Sequence, residues 1–336
     1  MRLLQLACVL LLFSSAGDVL SGRFRWTASA PLIAPQDREG DHYFSIKDPS
    51  VVRYGGRWHV FCTLRGTKRS HQIEYLSFAS WPEANRGRRE ILRLSDGYFC
   101  APQVFYFRPH RKWYLIYQIV DESRTPALQP AYSTTGDIGN PASWTRPKLL
   151  FADPSKGVKN WIDFWVVCDR DRAHLFFSTL NGKLWRADTA LADFPNGWDQ
   201  PRVALTGDIY EASHTYRLKG LNRYLTLVEA RAPEGWRYYK AYLAARLEGA
   251  WTPLAATPEQ PFAAPGNVRF SGAPWSDSFS HGELLRDGYD ETLTVNPARL
   301  AFLFQGVAAR DREGKTYGEI PWCLGILRPL PAAGNR

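Results

Sequence analysis

Three carboxylates stand where a carboxylate is costly. Asp163 lies inside the apolar run WIDFWVV, Glu211 follows Ile209-Tyr210, and Asp48 opens the extended run KDPSVV. A charge in an apolar strand needs either a partner or a task. Each acid alone has a plainer reading. Asp48-Pro49 is a common turn pair, Asp163 could be a hydrogen-bonded core residue, and Glu211 could be half of a structural ion pair. Together they match the needs of glycoside hydrolysis. One carboxylic acid protonates the leaving oxygen, and a second activates water or attacks the sugar. A third nearby raises the acid's proton affinity by like-charge repulsion. The 13 Trp, 16 Tyr and 18 Phe could offer flat apolar faces to sugar rings, although a core of this size uses most of them.

The acids are far apart along the chain, so only a tertiary fold can gather them. Repeated pairs of apolar runs flank polar turns, as in KDPSVVRYGGRWHVFCTL, CAPQVFYFRPHRKWYLIYQ, WIDFWVVCDRDRAHLFF and YEASHTYRLKGLNRYLTLVE. A fifth unit begins SHGELL and closes ARLAFLFQ. β-Branched and aromatic residues fill the runs, while Gly, Asp, Asn and Arg fill the turns. Second strands begin near Trp58, Trp113, His174, Tyr224 and Ala301, at steps of roughly 60 residues. This pattern predicts an all-β, five-bladed β-propeller, whose innermost strands line an axis and whose strand starts converge on one face. A β-sandwich would place turn signals every 8–12 residues without the longer period. The Pro-rich stretch Thr257–Pro265 reads as a loop between units.

The chain has 336 residues, 45% hydrophobic and 22% charged, which excludes bulk disorder. Mean hydropathy is −0.34, and the one long charge-free apolar run is N-terminal, which excludes a polytopic membrane protein. Arg2, the apolar run Leu3–Phe13 and the small residues Ser14–Gly17 describe a secretory signal peptide over 1–17. A secreted, extracellular chain with a single domain over 18–336 is therefore expected. The net charge of +9 is spread without a basic stripe, so no nucleic-acid or membrane partner is expected. Cys8 leaves with the signal. Cys62, Cys100, Cys168 and Cys323 could form two disulfides or remain buried thiols, and their spacing is no zinc pattern.

KDPSVV (47–52), APQVFYF (101–107), WYLIYQ (113–118), WIDFWVVCD (161–169), YEASHTY (210–216), SHGELLR (280–286) and IPWCLG (320–325) occur in this order. Together they resemble glycoside hydrolase family 62, secreted α-L-arabinofuranosidases acting on arabinoxylan. The resemblance runs from about Phe24 to Leu330 and implies a five-bladed propeller. It also implies an inverting reaction that removes single α-1,2- or α-1,3-linked arabinofuranosyl groups. Asp48 matches the general base, Glu211 the general acid, and Asp163 the residue that tunes the acid and orients the sugar. Lys47, Gln103, Ile162, Arg286 and Tyr317 match positions lining the arabinose pocket. His281 matches a histidine near an axial Ca²⁺ held largely through waters. The partner implied is arabinoxylan or its oligosaccharides, and a monomer is expected.

Two departures stand out. Ile119–Pro130 reads as a longer, different loop that borders the xylan chain, and Cys323 replaces a basic residue. The rival functions are another propeller glycosidase, such as a β-xylosidase or arabinanase, and a non-catalytic carbohydrate-binding propeller.

Overall fold

A computed structural model describes residues 19–152 and 158–330. The proposed signal peptide and Cys8 lie outside the described residues. A short strand β1 (Trp26–Ala28) precedes the first full blade. Blade 1 is β2 (Tyr43–Tyr54), β3 (Arg57–Gly66), β4 (Gln72–Phe78) and β5 (Arg88–Ile91), hydrogen-bonded in that order. Blade 2 follows with β6 (Phe99–Phe107), β7 (Lys112–Val120), β8 (Leu128–Thr135) and β9 (Lys148–Leu149). Blade 3 comprises β10 (Ile162–Cys168), β11 (Arg172–Ser178), β12 (Lys183–Ala190) and β13 (Arg202–Thr206). Blade 4 comprises β14 (Glu211–Leu218), β15 (Tyr224–Arg231), β16 (Arg237–Ala244) and β17 (Thr252–Ala255). The remaining strands are β18 (Val268–Phe270), β19 (Ser278–Leu284), β20 (Thr294–Val295), β21 (Phe302–Val307) and β22 (Cys323–Pro329).

Blade 5 runs β19-β21-β22-β1-β18, so the start of the domain is clasped between strands from its end. That clasp closes the ring and was not visible as a repeat, because β1 carries only three residues of pattern. The inner strands β2, β6, β10, β14 and β19 contact one another in sequence, and β19 returns to β2. The long final step in the sequence is explained by β20, which leaves blade 5 to pair in parallel with β14 of blade 4.

The second strands predicted from sequence coincide with β3, β7, β11, β15 and β21. Local chemistry accounts for the turns. Gly55 and Gly56 both have positive φ, 55° and 78°, between the paired residues Tyr54 and Arg57. Such a two-residue hairpin turn is open to Gly at little cost. Apolar clusters fill the spaces between blades, the largest running through blades 2 to 5, with smaller ones flanking blade 1. The four cysteines are all free, three of them buried, so the thiol reading holds and the disulfide reading does not. The loop expected over Ile119–Pro130 contracts: β7 runs on to Val120, β8 starts at Leu128, and Asp121 N–H closes the turn on Ala127 O at 2.8 Å.

Candidate active site

Each inner strand is interrupted near its start by a shift of register. These shifts fall at Lys47/Ser50, Cys100/Gln103, Ile162/Trp165, Glu211/His214 and Ser280/Gly282. In four blades the extra residue adopts a left-handed backbone: Asp48 (φ 48°), Ala101 (51°), Asp163 (57°) and Ala212 (50°). Strain of about 1–3 kcal/mol at a non-glycine residue persists only where surrounding structure enforces it. Asp tolerates this region better than most, because its short polar side chain bonds locally. A bulge re-aims side chains. An unbroken strand would send Lys47 and Asp48 to opposite faces, yet both are buried and interact with each other and with His281.

The three acids meet at the end of the axis where these strands start. His281 on β19 lies between two of them, its Nδ1 3.4 Å from Asp48 Oδ1 and 3.9 Å from Asp163 Oδ1. Asp163 Oδ2 accepts from Ala212 N–H at 3.0 Å, which ties it to the residue beside Glu211. Their environments push them apart. Burial opposes ionisation of Asp48, but the Lys47 ammonium, His281 and a bond from Thr63 outweigh it and hold its carboxyl below the usual range. At Asp163 burial acts with the charges of Glu211 and Asp48, and its carboxyl is pushed well above that range. The site therefore holds one carboxyl whose surroundings favour the charge and one whose surroundings favour the proton.

Glu211 sits directly opposite Glu229 in the β14–β15 pairing, a like-charge juxtaposition that is unfavourable unless compensated. Arg237 on β16 supplies the compensation. Its Nη1 donates to Glu211 Oε1 and, at 2.9 Å, to Glu229 Oε1. Three rings box the guanidinium, with Tyr210, Tyr317 and Trp322 centroids at 4.8, 5.4 and 5.6 Å. Glu229 is fully buried and also accepts from Ser280 Oγ at 2.9 Å and His281 N–H at 2.8 Å. Burial and the charge of Glu211 raise the Glu229 carboxyl to about 7 against the pull of Arg237. One cation thus serves two carboxyls, and Glu229 keeps its proton to higher pH than a free carboxyl does.

Of the sequence-predicted pocket residues, Lys47 and Tyr317 join the acids. The Lys47 ammonium lies 5.0 Å from the centre of the Tyr317 ring, which is 51% exposed and forms part of the rim. Burial works against the charge of Lys47, but Tyr317, Asp48, Cys100 and Glu211 raise its pKa. Ile162, half-buried, takes the place before the bulge that Lys47 and Glu211 hold in their blades.

Gln103 and Arg286 make contacts between blades. The Gln103 amide is fully buried and spent on a reciprocal clamp, donating to Val166 O and accepting from Val166 N–H, both at 2.7 Å. It fastens blade 2 to blade 3. Arg286, with no side-chain exposure, donates to Val51 O at 2.9 Å and Val104 O at 2.8 Å and pairs with Glu283 at 2.6 Å. These partners lie further along the inner strands than the bulges, so Arg286 fixes blades 5, 1 and 2 to one another.

Sequence reasoning missed Arg237 and Glu229. Their signal exists only once the hairpin register is known, when two glutamates fall opposite each other and demand a cation.

A family model described as glycosyl hydrolase family 62 matches residues 25–328. The α-L-arabinofuranosidase C of Cellvibrio japonicus is 41% identical over 316 residues, 92% of this chain; the chain spans about half the length of that relative, 48%. The catalytic domain of a Coprinopsis cinerea family 62 α-L-arabinofuranosidase superposes with a TM-score of 0.87 at 39% identity, covering 94% of this chain and 99% of that one. A family 62 hydrolase solved with xylotriose superposes with a TM-score of 0.86 at 35% identity, covering 94% of this chain and 100% of that one.

Proposed function

The chain belongs to glycosyl hydrolase family 62, and from that premise we propose that it is a secreted, inverting α-L-arabinofuranosidase. Its substrate is arabinoxylan, from which it removes single α-1,2- or α-1,3-linked arabinofuranosyl side groups. The names of the relatives support the activity, and a relative's xylotriose complex supports a xylan main chain as acceptor.

The observation that carries this reading is the division of charge among the gathered acids. Asp48, held ionised beside Lys47, takes a proton from water as the water attacks the anomeric carbon. Glu211 gives its proton to the leaving xylose oxygen as the glycosidic bond breaks, so one proton enters the site and one leaves it. Asp48 and Glu211 lie on β2 and β14, which are not neighbours in the ring. An arrangement across the axis leaves room for a water, as inversion requires. Lys47 and Arg237 can donate to sugar hydroxyls, and Tyr317 offers a ring face at the rim.

Calcium belongs to the same proposal. On the axis, the His214 and His281 rings are 4.9 Å apart, and the buried Nδ1 of His214 has no hydrogen-bond partner among the described residues. Burial lowers the pKa of both imidazoles and so favours the neutral form, the one that meets a metal. Among the described residues, the one trio of His, Cys, Asp or Glu with ligand atoms within 4.8 Å is Asp169, His174 and Glu248 in another part of the molecule. His281 would face the ion, which would supply positive charge beneath the acids.

A panel of arabinoxylan, linear arabinan and xylo-oligosaccharides tests the function. Free arabinose from arabinoxylan is expected. Xylose or arabino-oligosaccharides without arabinose would replace this reading with another propeller glycosidase.

A further inference from the structure

The inner strands have a second end. From Asp48, five residues of extended β2 carry the chain roughly 16 Å to Arg53, on the face opposite the acids. A cavity of about 710 Å³ opens there between blades 5 and 1, a volume ordinary for a small-ligand site. Arg53, Trp58, Trp81, Asp287, Arg299 and Arg328 line it.

Its chemistry is specific in two ways. First, it is aromatic. The Trp58 and Trp81 rings contact at 5.1 Å. Second, it has positive charge without its counterpart. Asp287 is the one acid in the lining, and Lys219 and Arg299 already hold it. Arg53 and Arg328 are exposed and have no carboxylate partner among the described residues; Arg53 stands 5.6 Å over the Trp58 ring. An arginine fork accepts a carboxylate through two parallel bonds, and an indole face accepts the C–H face of a sugar ring. Neutral sugars would need only the aromatic feature.

We propose that this groove is a second carbohydrate site, which binds polysaccharide bearing uronic-acid groups. Arg53 and Arg328 take the carboxylate, and Trp58 takes the ring. The site goes beyond the catalytic reading and does not depend on it. In an arabinofuranosidase it would tether the enzyme to acidic stretches of the polymer while the opposite face works on neutral side groups.

Binding of a xylo-oligosaccharide carrying one glucuronic acid, set against its neutral counterpart, tests the assignment by calorimetry. The wild type should prefer the acidic probe. The Arg53→Gln/Arg328→Gln double variant should lose affinity for it by about tenfold or more, the scale of lost bonds to a charged group. Hydrolysis of a small synthetic arabinofuranoside should be unchanged in that variant. An Arg146→Gln/Lys148→Gln variant removes two exposed cations from blade 2 and its flank and serves as the charge control. Equal loss in the control would overturn the site in favour of general attraction to a basic protein. Equal affinity for both probes, or none for either, would overturn it as well.

Discussion

In blade 3, Asp188 receives His174 Nδ1 at 2.8 Å, Arg186 Nε at 2.8 Å and Arg202 Nη2 at 2.6 Å, while Asp169 takes the other nitrogen of His174 at 2.9 Å. In the pocket, the one guanidinium of Arg237 serves both Glu211 and Glu229, and Asp163 has one backbone N–H from Ala212. Both clusters centre on buried strand residues, Asp188 in one and Glu229 in the other. In blade 3 burial resists every charge, yet the partners outweigh it. His174 is raised, Asp188 lowered, and Asp169 held at about 2. In the pocket, burial and like charges prevail at Asp163 and Glu229, and both are raised. A network with a partner for each charge stabilises the fold. A network short of cations keeps a proton ready to move, and that is where catalysis belongs.

The comparison breaks first at Glu211. Replacing it by Gln should lower kcat by about a hundredfold to ten-thousandfold, the usual range for a general acid, with far less change in KM. Steady-state kinetics on arabinoxylan reads both. A variant that keeps its turnover would remove Glu211 from its role.

The blade 3 network should respond in the other currency. Asp188→Asn leaves buried cations without their carboxylate and should cost about 3 kcal/mol of stability. Thermal unfolding should show the loss, while kcat of the folded fraction stays within about twofold of the wild type, since the site is not touched.

Glu229 sharpens the boundary between the two kinds of cluster, because it touches Arg237 rather than the sugar. Glu229→Gln keeps the shape but weakens the hold on Arg237, and should reduce kcat about tenfold to a hundredfold, the scale of a hydrogen bond to a charged group. The KM for arabinoxylan should move less than kcat. A change in stability alone, with kcat intact, would make Glu229 a purely structural residue.

Stability against pH separates the clusters with the smallest effect. Glu229 is raised from 4.5 to about 7, so the folded state holds its proton more tightly. Its contribution is complete below pH 4.5 and is lost as pH rises towards 7. Asp169 is lowered from 3.8 to about 2, so its contribution is present above pH 3.8 and is lost as pH falls towards 2. His174, raised above 6.5, stabilises below that pH and ceases to do so as pH climbs through its folded value. Urea midpoints across pH 4.5–7 should therefore decline less in Glu229→Gln than in the wild type, and a parallel decline would contradict the assignment.

Much of this was legible in the sequence, for a physical reason. Strand periodicity and turn chemistry are local, so five hairpins and their turns could be placed, and Asp48, Asp163 and Glu211 stood out as charges in apolar or extended runs. What depends on register was hidden. The clasp by β1, the bulges that aim consecutive residues at one pocket, and the reach of Arg237 to two glutamates exist only in the assembled ring. Gln103 and Arg286 were polar residues near an active-site motif, and only the assembled blades assign their atoms to Val166, Val51 and Val104.

The most direct test of the central claim is proton NMR of arabinose as it leaves wheat arabinoxylan. The account predicts that free arabinose appears first as the β-anomer and then mutarotates, because Asp48 directs one water to the face opposite the bond that Glu211 helps to break. Arabinose released first as the α-anomer would contradict it.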